Sequence, residues 1–425
     1  MNFMSGPLER AYAFIQSWPA FRVFRHRDFR LLWFGALISF TGAQVQMVAQ
    51  GAYVYDLTGK KTALGLVAFF SMIPVTILGP FSAVLVDMLD RRKILITTSV
   101  ILMIATVFNA TAASIGTLTF VQILAIALIG GLVQTVEPTS RQTIVREVVG
   151  EDDLAAAVPL QAMTFNLART IGPAIGGILT AAFGIAVCFW VNAVSYIAIL
   201  YAAIALKTVV PPGARRGQPI KDLIFEGMLF TWRDSSLRTL FLMEGTLSLF
   251  GVPYIFQMPA IAADQLGLDP AGLGICYSAI GIGALTGLVT IATISNRPFK
   301  TRIVGIAMFT FGLALTTLAF TKSIYFAAPL FFVTGFCQIA QFNTTNTLFQ
   351  LLSPQALRGR VLSMHLWAIA GLAPLGNLLI GGLGDLIGLT PALAFGGTAV
   401  FLGTIIAFFN RKQLKEPQVM SENQI

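Results

Sequence analysis

The sequence predicts an all-α membrane protein of twelve transmembrane helices in two pseudo-symmetric six-helix bundles. Three observations carry that expectation. Of the 425 residues, 56% are hydrophobic and only 11% charged, where a soluble domain carries about 25% charged residues. Apolar stretches near the roughly 20 residues that a bilayer core requires recur along the chain. The basic residues fall between those stretches and concentrate in every second connection.

Taken in order, the spans read as 30–50, 63–86, 94–114, 118–138, 158–182, 185–206, 237–262, 271–294, 302–320, 324–347, 361–385 and 389–410. Residues 1–29 form an N-terminal segment that lacks the short apolar core and small-residue site of a cleaved signal. Its Leu8, Tyr12, Ile15 and Trp18 recur at helical spacing and predict a helix on the membrane surface. With a cytoplasmic N-terminus, 24 Lys and Arg fall on the cytoplasmic side, three outside and one, Arg169, within a span. The positive-inside rule then agrees with the even span count, with both termini cytoplasmic. The longest polar interval, 207–236, opens on Pro-Pro-Gly and separates bundles at 30–206 and 237–410, leaving a tail at 411–425. Its second half places Ile220, Leu223, Ile224, Gly227 and Phe230 on one helical face. A weak repeat, "EVVGEDDLAAAV" before span five and "LLSPQALRGRVL" before span eleven, supports two related halves.

The same residues exclude other classes. The net charge of +9 is dispersed between apolar runs and forms no soluble basic face, so no nucleic-acid partner is expected. Cys188, Cys276 and Cys337 are odd in number, far apart and inside apolar segments, which argues against a disulfide framework or a metal set. "TGKKT" is not a phosphate-binding loop. Two histidines, His26 and His365, read as cytoplasmic-side residues and supply no nucleophile–base set. No enzyme chemistry and no cofactor are expected.

Three stretches resemble the major facilitator superfamily. "GPFSAVLVDMLDRRKIL", Gly79 to Leu95, is similar to that family's cytoplasmic loop motif, with Ala83 and Asp90 where glycines are usual. The resemblance implies a gating latch between halves built from Asp87, Arg91 and Arg92. The matching "ISNRPFKTRI" lacks the Asp, so the latch is expected on one side only. "GPAIGG" is similar to the end of the span-five motif of antiporting members, with Pro159 and Ala168 in place of the leading glycines. Physically, Pro173 removes a backbone donor, and Gly172, Gly176 and Gly177 permit close helix packing. "LTGKKTALGLVAFFSMIPVTILGP" with "VREVVGEDDLAAAVPLQAMTFNLARTIGPAIGG" resembles the drug/proton antiporter branch containing macrolide exporters and the enterobactin exporter.

A lone Arg at the bilayer centre costs at least about 2.5–3.5 kcal/mol. Arg169 is therefore expected to face the interior and find a partner, serving substrate or proton coupling without itself releasing a proton. The acids that can carry a proton are Glu244 within span seven, Glu137 at the end of span four and Asp385 near the outer end of span eleven, with Glu244 preferred. His365 reads as interfacial. Polar residues within spans nominate a cavity lined by Gln44, Asn166, Gln257, Gln338, Gln341 and Asn377. Gln46, Gln50, Asn343 and Asn346 extend the set.

The expected function is export of a small amphipathic compound (drug, macrolide or siderophore-like) across a bacterial inner membrane by a monomeric carrier, with alternating access and proton antiport. The alternatives are uptake or lipid flipping by the same fold, and a membrane sensor that moves nothing. The partners expected are the substrate, protons and the bilayer.

Overall fold

The computed structural model describes residues 22–208, 220–294, 299–355 and 357–409, without the side chains of residues 80, 82–85, 87, 88, 220–225, 408 and 409. The surface helix expected around Leu8 to Trp18, Arg215, Arg216, Arg297 and the tail lie outside the described residues, as does the side chain of Asp87.

Among the described residues every regular element is helical. The first bundle comprises α1 (Arg27–Thr58), α2 (Lys61–Met88), α3 (Arg91–Ser114), α4 (Phe120–Phe183) and α5 (Ile185–Ala205). A linker helix, α6 (Ile220–Arg233), precedes α7 (Ser235–Thr246). The second bundle continues through α8 (Pro270–Thr293), α9 (Lys300–Ala319), α10 (Ile324–Leu352), α11 (Arg358–Ala370), α12 (Ala373–Leu386) and α13 (Leu389–Phe409).

Among the described residues ten helices are long and apolar enough to cross a membrane, with α11 and α12 counted as one, and α7 with its bent continuation makes eleven. The 64 residues of α4 would measure about 96 Å at 1.5 Å per residue, three times a bilayer core. Its helix breaks at Gly150, whose φ of 71° and ψ of −180° are non-helical and open essentially to glycine alone. The arms 120–149 and 151–183 are thus two crossings, consistent with the twelve the sequence predicts.

Two predicted spans are not continuous. Span seven leaves α7 through wide π-helical turns at Leu247–Gly251, a tight turn at Val252–Ile255 and a second π segment at Ile261–Gln265, bending by 47°. Pro253 and Pro259 lie in this stretch, and each removes a ladder donor. Span eleven is interrupted more mildly, at Gly371 and Leu372 between α11 and α12, where the backbone stays in the helical region and Pro374 follows in the first turn of α12.

Within the first bundle α1 packs on α4 and α5, and α3 on α5. In the second, α10 packs on α8 and α9, and α9 on α13. The bundles meet along α4 with α8 and along α2 with α12. Small residues set these contacts, because lipid gives no hydrophobic drive for helix association. A Cβ on Gly177 would lie 2.6 Å from the Pro270 carbonyl and 2.9 Å from Gly274 Cα; one on Gly65 would lie 2.4 Å from the Asn377 carbonyl.

Candidate substrate cavity and the contacts between the halves

A cavity of ≈ 760 Å³ lies among α1, α2, α3, both arms of α4 and α5, with Phe256, Tyr277 and Ala370 contributed by the second bundle. Its α1 wall is Ala43, Gln46, Met47, Gln50 and Val54, a stripe at spacings of three and four residues. Asn192 Nδ2 on α5 donates to Gln46 Oε1 at 2.6 Å, and Gln46 Nε2 donates to Gln50 Oε1 at 3.3 Å. These bonds satisfy amides that hydrocarbon would leave bare. Phe40 and Phe165 meet edge to face on another wall, 5.8 Å between centroids. Gln134 and Glu137 come from α4. Glu137 Oε1 pairs with Arg141 Nε at 3.1 Å one turn on, and the Arg141 guanidinium lies 4.4 Å from the centre of the Phe40 ring. The wall is thus apolar and aromatic with a few fixed polar groups, the usual make-up of a small-molecule site.

Arg169 sits one turn beyond Phe165 on the second arm of α4. It reaches into the other bundle, where its Nη2 donates to Gln338 Oε1 on α10 at 3.3 Å. Among the described residues it forms no ion pair, so neither Glu137 nor Glu244 is its partner. The partner the sequence demands is a neutral amide supplied by the opposite half.

At the end of the molecule that carries Lys61, charged groups join the halves. Asp385 on α12 accepts from the backbone N–H groups of Lys61 and Thr62 at 2.8 and 2.9 Å. Those are free donors of the first turn of α2, so an acid of one bundle caps a helix of the other. Lys61 Nζ pairs with Asp264 at 2.9 Å, and Tyr55 donates a short hydrogen bond to the same carboxylate. Gln257 Nε2 donates to the Lys61 carbonyl at 3.3 Å.

The opposite, arginine-rich end is organised within the first bundle. Arg92 donates from Nε to the Ala203 carbonyl at 3.0 Å and from Nη2 to that of Ile204 at 2.5 Å, while Arg27 donates to Ala205. All three are carbonyls at the C-terminus of α5, where cations are favoured. Asp28 accepts from the backbone N–H groups of Lys207 and Thr208 and from the Thr208 hydroxyl. Asp90 N-caps α3 through Arg92 N and Lys93 N at 3.0 and 3.2 Å. The residue that departs from the loop motif's glycine is therefore the helix cap. Arg91 is buried. In this structure Arg92 thus clamps the end of α5 within its own half.

Glu244 and His365 meet inside the second bundle. Glu244 Oε2 lies 2.7 Å from His365 Nδ1, with the side chains 2% and 0% exposed. His365 is thus buried within the protein. Spans seven and eleven run in the same direction, and the two residues stand seven and four positions into them, so similar depth is the signal the sequence offers for their meeting.

None of the six nominated cavity residues lines the cavity of the first bundle. Gln44 packs beside Gly172, one residue off the cavity stripe. Asn166 Nδ2 donates to Ala162 O at 2.8 Å on its own helix. Gln257 and Gln338 join the halves, Gln341 Nε2 donates to Thr345 Oγ1 at 3.3 Å, and Asn377 Nδ2 reaches Met72 Sδ across the halves at 3.7 Å. Gln134, Asn192 and Tyr196 line the cavity and escape the sequence reading. Hydropathy gives depth in the membrane but not the direction a side chain faces. Of the packing motif, Gly172 and Gly176 close on α1 and Gly177 on α8, while the Pro173 carbonyl abuts Gly274.

Residues 18–425 match the family model described as transmembrane secretion effector. The chain is 27% identical over 391 residues to the multidrug efflux pump Tap of Mycolicibacterium fortuitum, covering 88% of this chain and 95% of that one. It is 26% identical over 419 residues to the enterobactin exporter EntS of Escherichia coli, 92% of each, and 22% identical over 384 residues to the staphyloferrin A transporter of Staphylococcus aureus, 89% and 95%. In fold it resembles the bacterial homolog of the human lysosomal transporter Spinster in an inward-facing conformation, with a TM-score of 0.74 at 13% identity over 94% of this chain and 99% of that one. A mutant of the nucleoside transporter NupG gives a TM-score of 0.74 at 14% identity, over 92% and 100%. This multi-pass membrane protein is a transporter and not an enzyme, and it belongs to the transmembrane secretion effector family of the major facilitator superfamily.

Proposed function

We propose that this protein exports a small amphipathic compound across the bacterial inner membrane, exchanging it for protons by alternating access. The observation that carries this reading is the cavity of the first bundle, an aromatic and amide-lined space with one carboxylate, Glu137, in its wall. The size and mixed lining suit an amphipathic guest. Arg169 and Gln338 lie where the two halves meet, so rocking of one bundle against the other changes their contact. Efflux as the direction draws on the names of the multidrug and enterobactin relatives. The arginine-rich end faces the cytoplasm by the positive-inside rule. The Lys61 end then faces outward and is closed, which makes this an inward-facing state.

Among the three acids nominated for proton coupling, Glu137 is the one in the cavity wall. Asp385 is engaged in capping α2, and Glu244 is sealed against His365. Glu137 therefore exchanges the proton against the substrate, with Arg141 as the alternative partner of its carboxylate when the cavity is empty. The test is accumulation in cells stripped of their own pumps, loaded with macrolides, dyes and catecholate siderophores, with and without a protonophore. Protein-dependent, protonophore-sensitive loss of a compound is expected. Glu137→Gln should retain downhill exchange while losing uphill transport. No loss of any compound, with the protein present in the membrane, overturns the reading.

A further inference from the structure

The two broken spans of the second bundle, spans seven and eleven, are tied together at their breaks. Ser248, in the first π-helical segment, donates from Oγ to the carbonyl of Ile369 at 2.5 Å, one residue before α11 ends. The next carbonyl, that of Ala370, accepts from Thr76 Oγ1 of the first bundle at 3.0 Å, and Ala370 also lines the cavity. Three residues before the first break stands Glu244 and six before the second stands His365, and the two meet at 2.7 Å. The imidazole lies between the rings of Phe342 and Phe349 on α10, 5.3 Å from each centroid.

We propose that Glu244 and His365 form a proton-binding site of the second bundle, distinct from Glu137, whose occupancy sets how tightly α7 and α11 are held at their breaks. The site has two near-balanced states. With one ring proton, on Nδ1, the imidazole donates to the carboxylate, and a net negative charge stays in a dry interior, which is costly. A second proton, on Nε2, cancels that charge. Nε2 is buried with no hydrogen-bond partner among the described residues, so this form leaves a donor unmet, a penalty that opposes the gain. Each state thus carries one unmet demand, and one proton interconverts them as a property of the pair. His365 is the titratable side chain in contact with Glu244. From α10 the rings of Phe342 and Phe349 face the imidazole. The nearest other charges along the two helices are Arg360, five residues before His365 and paired with Glu226 of α6, and Arg238, six residues before Glu244 and bonded to the Trp232 carbonyl.

The structure supplies its own reporter. Trp367, two residues past His365, stacks on Phe241 of α7 at 6.2 Å and 11°, and the glycine at the break, Gly371, abuts its indole. The inference rests on the transport reading only for its consequence in the cycle, and its test needs no substrate. Full-length protein in nanodiscs is titrated while tryptophan emission is read, with Trp367→Phe subtracted to isolate the one indole. A single pH-dependent step is expected, and both Glu244→Gln and His365→Gln should abolish it. Should those variants fail to fold, isotope-labelled histidine in the wild-type chain reads the ring directly. The protein has only two histidines, and His26→Gln assigns the second signal. The His365 ring should change protonation together with the Trp367 step. A ring that keeps one protonation state throughout the titration, or a Trp367 step that survives both substitutions, overturns the proposal. Loss of uphill transport on Glu137→Gln leaves it untouched.

Discussion

Asp385 caps a helix that belongs to the other half of the molecule. Its two carboxylate oxygens accept the backbone N–H groups of Lys61 and Thr62 at 2.8 and 2.9 Å. Under the proposed alternating access, a cap of this kind is made in one state and surrendered in the other, when α12 and α2 separate. Removing a cap costs about 0.5–2 kcal/mol, which shifts a two-state equilibrium by roughly 2- to 30-fold. Asp385→Ala should therefore raise the population open at the Lys61 end by that factor. The probe is Val54→Cys, a buried cavity residue next to Tyr55, in a chain whose three cysteines are replaced. The rate of labelling by an impermeant maleimide added outside should rise; an unchanged rate would show that the cap does not hold the closure.

The adjacent glycines of "GPAIGG" face different bundles and should fail differently. Gly176 lies against the Val45 backbone within the first bundle, where an added Cβ would come within 2.8 Å of the Val45 carbonyl oxygen; Gly177 lies against Pro270 and Gly274 across the halves. Overpacking costs about 1–3 kcal/mol. Gly176→Val should lower the apparent Tm in detergent and leave Val54→Cys labelling alone. Gly177→Val should lower the Tm less and raise labelling, because two bundles can part along their shared face whereas the helices inside one bundle cannot. Equal loss of stability without added labelling would place both glycines in one rigid unit.

The sequence makes the depth of these groups legible and leaves their partners hidden. Arg169 is readable as an interior charge from its place in an apolar run, yet its partner is Gln338, a residue with no charge to announce it. Glu244 is readable as the deepest acid, whereas His365, four positions into a span, looks interfacial on depth alone. The breaks in spans seven and eleven are invisible to hydropathy, since Pro253, Pro259 and Pro374 interrupt hydrogen bonding without lowering apolarity. Gln44 sits on a helical face one residue away from the cavity stripe, a rotation of about 100°. Direction around a helix axis is decided by tertiary packing, which the sequence of a span wholly immersed in lipid and protein barely marks.

Arg92 separates a clamp from a latch. Its two bonds to the Ala203 and Ile204 carbonyls lie inside the first bundle. Hydrogen bonds from a charged donor contribute about 1.5–3 kcal/mol each. Arg92→Ala should lower the apparent Tm without changing Val54→Cys labelling, and Arg92→Lys should restore only part of the loss, because one ammonium cannot hold the guanidinium's fork geometry. A gain in outward labelling at unchanged stability would favour the latch.

Arg169 crosses from the first bundle to the second through a single hydrogen bond of 3.3 Å to a neutral amide. That distance lies at the long end for an N–H···O bond, so the contact can be released as the halves rock. The charge cannot be released, because a guanidinium does not deprotonate in proteins. Arg169→Ala should reduce efflux by about 10- to 100-fold, the worth of one charge-assisted bond, while the protein inserts normally. Gln338→Ala removes the acceptor but keeps the charge, and its effect should be smaller. Arg169→Lys keeps the charge and loses the reach of the fork, so it separates the electrostatic role from the geometric one. Efflux at the wild-type rate in Arg169→Ala would reduce the residue to a packing element; equal loss in Arg169→Ala and Gln338→Ala would make the cross-half bond, and not the charge, the requirement.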